Sequence, residues 1–124
     1  MPVIEQEQIE SIVAQAAATG GQLQPEKAQI LLQFLTQIND RAHVIYESAL
    51  TLSAQMYDRE KIAQFWKSQR ELFEAQLAIA SQLKRKIKPS EDLRTQQLLL
   101  SLDGVIATLE DLIAATSEHY EFHA

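Results

Sequence analysis

The chain contains no cysteine. Disulfides, thiolate metal sites and cysteine nucleophiles are therefore excluded. Glycine and proline are scarce, at three residues each, which disfavours a many-turned β architecture and favours long helices. No stretch approaches the roughly 18 consecutive apolar residues of a membrane-spanning helix. Met1-Pro2-Val3-Ile4-Glu5 lacks the basic segment and apolar run of a secretory signal. A cytoplasmic protein with no membrane partner is the expectation. Positive charge is also short: 11 Lys+Arg face 17 Asp+Glu, for a net charge of −6, which argues against nucleic acid as the main partner. Signatures of catalysis are missing as well. Gly20-Gly21 stands alone between helices and is no phosphate loop, and no Gly-x-Ser-x-Gly elbow occurs. The chain reads as non-enzymatic, with no cofactor expected.

What is present suits a helical protein. The length, 124 residues, and the 46% hydrophobic and 23% charged composition fit one domain with one core over residues 1–124. The longest pattern runs over residues 25–56. Ala28, Leu35, Ala42, Ala49 and Met56 form one series, and Leu31, Ile38, Ile45 and Leu52 the other. A 3-4 spacing held this long is the seam of a helix packed lengthwise on other helices. Pro25 fits the first helical position, where its missing N–H costs nothing.

No strong breaker separates Pro25 from Pro89, so a single rod of helix has to be considered. The apolar stripe of Leu31 to Met56 and that of Ile62, Phe65, Trp66, Leu72, Phe73, Ile79, Ala80, Leu83 and Ile87 are offset by roughly 145° at 100° per residue. A rod would bury opposite sides in its two halves. A turn at Tyr57-Asp58, with Asp58 as N-cap, lets both halves face one core. Pro89 then stops the next helix and Ser90 is the expected cap of the last, with Glu91 and Asp92 in its first turn. That last helix presents Leu98, Leu99, Leu102, Val105, Ile106, Leu109, Leu112, Ile113 and Thr116 to the core and is expected to fray between Ser117 and Phe122. The fold expected is all-α: an up-down antiparallel bundle of three long helices, at about residues 25–56, 59–88 and 91–118, plus a short N-terminal helix at about 5–19.

Charge is unevenly distributed. Residues 58–88 carry eight Lys/Arg against four Asp/Glu, and residues 89–124 one Arg against seven Asp/Glu. Antiparallel neighbours of opposite charge complement each other, though exposed pairs contribute only about 0–1 kcal/mol each. The run Lys84-Arg85-Lys86-Ile87-Lys88 reads first as cations complementing a helix C-terminus.

Several constellations could carry chemistry. Asp40, His43 and Glu47 share one helical face, but it points away from the stripe and lacks the inward-facing second motif of bundle metal sites. His119 and His123 fall one turn apart and could chelate one metal if other ligands joined them. Trp66 with Phe65 and Phe73 could line a ligand pocket, although aromatics at helical spacing are more often core. Gln69 and Gln76 lie within an apolar face, where they read first as amides bonded across the core to Ser, Thr or Tyr and alternatively as the lining of a polar pocket or an oligomer interface.

The remaining pattern is on the last helix. Leu93, Gln97, Leu100, Gly104 and Ala107 form a 4-3-4-3 series on the side opposite its core face. Glycine in a helix interior costs about 1 kcal/mol relative to alanine, and its missing side chain permits another helix to approach closely. The strip reads as an interface, with a second copy in a two-fold dimer or another helical protein as partner. A self-associating interaction or regulatory module is therefore the first expectation. A metal-binding bundle built on the His/carboxylate clusters and a small-molecule-binding regulator using the region of Trp66, Gln69 and Gln76 are the alternatives.

Overall fold

In a computed structural model, residues 6–124 are described and form four α-helices. They are α1 (Gln6–Ala18), α2 (Pro25–Ala54), α3 (Arg59–Lys86) and α4 (Leu93–His123). No strand occurs among the described residues, and none of their helices is long and apolar enough to cross a membrane. The expected start of the first helix at residue 5 lies outside the described residues.

Local chemistry sets the boundaries. The amide of Gly20 donates to the carbonyl of Ala17 and that of Gly21 to Ala16, closing α1 with both glycines at positive φ. Gln24 precedes α2 in an extended conformation without a side-chain cap bond, so Pro25 makes the entry, as anticipated. The chain turns after Ala54, and Asp58 Oδ1 accepts from the amides of Glu60 and Lys61 to start α3. The helical hairpin is thus formed at the residues the stripe offset indicated.

The last helix departs from expectation at both ends. Its N-cap is Asp92, not Ser90: Asp92 Oδ2 accepts from the amide and hydroxyl of Thr95. Ser90 Oγ accepts instead from the amide of Asp92, shaping the turn ahead of the helix. At the other end α4 does not stop near residue 118 but continues to His123. The guanidinium of Arg59, at the start of α3, donates to the carbonyls of Phe122 and His123. These are helix-terminal acceptors with no partner inside the helix, and the arginine satisfies them from a neighbouring element.

Cross-helix contacts fix the directions. Arg59 meets the end of α4, while Lys84, near the end of α3, pairs with Asp103 in the first half of α4. α3 and α4 are therefore antiparallel, and so are α2 and α3 across their short turn. α4 packs on both α3 and α2, whereas α1 leans on α3. Most buried apolar residues join one cluster that includes Leu31, Leu35, Phe73, Leu98, Leu102 and Leu109. A smaller cluster of Ala49, Ile62 and Trp66 lies where α2 ends and α3 begins.

The stripes are right in phase and wrong at their margins. Leu52, in the last turn of α2, stays 53% exposed. Leu72 is also exposed; it is rotated about 100° from the buried Phe73 and falls at the stripe's edge. Phe34 and Ala63 are buried in addition.

Gln76 does not find the cross-core partner anticipated for it: its Oε1 is buried and unpaired among the described residues. Replacing Gln76 with leucine removes a desolvated acceptor without leaving a partner behind. Urea denaturation of this variant is expected to show a stability equal to the wild type or higher by about 1 kcal/mol. A loss of 2 kcal/mol or more would show that the amide is bonded in solution.

Candidate functional site

The outward face of α4 is built by the same turn of helix that buries Leu98, Leu102, Val105 and Leu109 on the other side. Leu93 and Leu100 are each 72% exposed, and Gln97, Gly104 and Ala107 are exposed between and beyond them. A Cβ placed on Gly104 would meet nothing within 4 Å. No neighbour among the described residues therefore requires a glycine at this position. Beside it, a groove of about 310 Å³ opens between α2 and α4 over Leu35 and Val105, bordered by Thr36, Asn39, Ser101 and Thr108. Asp103, on the α3 side of the strip, is engaged by Lys84. From Gln97 to Ala107 the strip itself carries no charge.

The histidines of α4 do not form the chelate considered for them. The His119 ring stacks on Trp66 at 4.1 Å with the planes 10° apart. Its Nε2 lies 3.2 Å from the Tyr46 hydroxyl. His123 turns back on its own helix, its Nδ1 lying 2.8 Å from the His119 carbonyl, so that this nitrogen carries the proton. Asp40, His43 and Glu47 remain exposed on α2, and among the described residues no further ligand joins them. Among the described residues no group of three or more His, Asp or Glu is placed to hold a metal ion.

The Tyr46–Trp66–His119 cluster joins α2, α3 and α4, and Tyr46 was not singled out from the sequence. The Tyr46 and Trp66 centroids are 6.0 Å apart, and Phe65 meets Trp66 edge-on at 5.7 Å. Phe73, grouped with these aromatics beforehand, belongs to the main core instead. Among the described residues Gln76, unlike Gln69, has a buried unpaired atom, and neither amide borders a described cavity.

Burial holds the pKa of His119 below its usual value, and the nearby charge of His123 acts in the same direction; Glu118 opposes them. The native state thus favours neutral His119. Its contribution to stability is complete above the unfolded-state value of about 6.5 and is lost as pH falls from there through the lowered native value. Thermal melts between pH 7.5 and 5 are expected to show a smaller acid-side loss of Tm in His119→Gln than in the wild type. Equal losses in the two proteins would remove His119 as the cause.

Comparison with known proteins decides no family. No family model, curated protein or solved structure matches this chain. The functional reading therefore stands on the residues themselves.

Proposed function

We propose that the chain is a non-enzymatic interaction module: a helical bundle that associates, with its own kind or with another helical protein, through the outward strip of α4. The observation that carries this reading is Gly104. It occupies a helix interior at a cost of about 1 kcal/mol, yet no neighbour among the described residues lies within 4 Å to require it. A helix arriving from outside the chain gives the missing side chain a purpose. Leu100 and Leu93, about one and three turns toward the N-terminus of α4 with Gln97 between them, supply apolar surface along the same strip. Their exposure alone would be unremarkable for single leucines; their alignment with a bare glycine is what supports the proposal.

Leu100→Glu tests it. The side chain is exposed, so helicity by circular dichroism should change little. Sedimentation velocity at high protein concentration should show an assembly for the wild type and a monomer for the variant. A wild-type monomer, or an assembly that survives the substitution, refutes the strip as a self-association surface.

A further inference from the structure

The strip is self-complementary in one orientation only, and on the reading of it as an interface we infer that its occupant is a second copy of this chain packed antiparallel, with the Leu100 of each copy beside the Gly104 of the other. The 4-3-4-3 spacing makes two interleaved series, Leu93, Leu100, Ala107 and Gln97, Gly104, Asp111. Parallel pairing of two identical helices layers each residue on its own counterpart. Leu100 on Leu100 would hold the axes apart, and about 6 Å farther along, at 1.5 Å per residue, Gly104 on Gly104 would leave a void. Voids forfeit contact on every side.

Antiparallel pairing layers one series on the other. A two-fold axis at the level of residue 102 sets Leu100 beside Gly104 and Gln97 beside Ala107, each layer combining a large residue with a small one. The helices can then approach closely with no empty layer at the centre. Leu93 meets Asp111 only at the ends of the strip, where the carboxylate stays in water. Around the same axis Asp103 of one copy faces Asp103 of the other. Each of these charges already has a counter-charge in its own chain, Lys84, so the flank repels less than the sequence of α4 alone suggests.

The absence of cysteine makes the orientation directly readable. Gln97→Cys protein is mixed with Ala107→Cys protein and oxidised mildly. Both sites are exposed, so both variants should keep wild-type helicity. The antiparallel pair places 97 of one copy beside 107 of the other, and a cross-linked heterodimer is expected. In the same pair the two residues 97 are about 15 Å apart along the axis, beyond the ~7 Å Cα separation a disulfide tolerates, so Gln97→Cys alone should remain uncross-linked. Adding Leu100→Glu to both proteins should abolish the heterodimer. Efficient self-linking of Gln97→Cys, with wild-type dimers still dissociated by Leu100→Glu, overturns the antiparallel arrangement and leaves the strip as the interface. A monomeric wild type, or a dimer indifferent to Leu100→Glu, overturns both.

Discussion

Trp66→Ala is expected to destabilise the protein by about 3–5 kcal/mol, the range for removing a buried large aromatic side chain. Trp66 is only 1% exposed and sits where three helices converge. Ala49 of α2 and Ile62 of α3 complete its cluster, and His119 of α4 stacks on its face at 4.1 Å. Met56, packed at the edge of the cluster, can take up part of the space; the alanine, the branched isoleucine and the rings around it cannot. For a chain of this size the loss corresponds to a fall in Tm of roughly 10–20 °C. The variant should also raise the pKa of His119 toward its ordinary value, since burial is the largest cause of its depression. An NMR titration of the His119 ring reads that shift independently of stability. Trp66→Phe keeps an aromatic face for His119 and should cost much less. A loss below about 1 kcal/mol for Trp66→Ala, with His119 titrating as before, would mean that the three helix ends are not packed together as described.

The long elements were legible because their signals are local or strictly periodic. Pro25 and Asp58 act within one turn of their own positions, and the phase offset between two apolar stripes is a property of spacing alone. The start of α4 was misplaced because Ser90 and Asp92 are both competent caps two residues apart. The path of the chain after Pro89 decides between them, and it sends the Asp92 carboxylate to the amide of Thr95. The far end of α4 was misplaced for a different reason. Its stabilising partners, Arg59 and Tyr46, are more than 60 residues away in sequence, and no local cap announces them. The same holds for the aromatic cluster. Periodicity tells which way Tyr46, Trp66 and His119 point around their helices, but not that the three helices are set at heights that bring the rings to one level. The strip on α4 was readable because exposure on the side opposite a core follows from phase alone.

Gly21→Ala should be the most damaging of the glycine substitutions. Gly21 has φ +89°, in the left-handed region, where a side chain costs about 1–2 kcal/mol. An added Cβ would also lie 2.7 Å from Lys88 Cγ and 3.2 Å from the carbonyl oxygen of Lys86. The lysine can swing aside, but the carbonyl belongs to the last turn of α3 and cannot. The backbone there is tied further, because the amide of Lys88 donates to the carbonyl of Gly21 at 3.0 Å. This bond pins the α1–α2 connection to the end of α3, so the chain has little freedom to relieve the clash by moving. Conformational strain and crowding together put the expected loss at about 2–4 kcal/mol, with thermal melts as the readout. Gly20 provides the control: its φ is +79°, but a Cβ there meets nothing within 4 Å, so Gly20→Ala should cost only the conformational part, about 1–2 kcal/mol. Gly104→Ala should have the opposite sign in the isolated chain. It sits in a helix with open space around it, and alanine should stabilise the monomer by about 1 kcal/mol while weakening self-association in sedimentation velocity. If Gly21→Ala proves no worse than Gly20→Ala, the close approach of Lys86 and Lys88 to the α1–α2 connection is not maintained in solution.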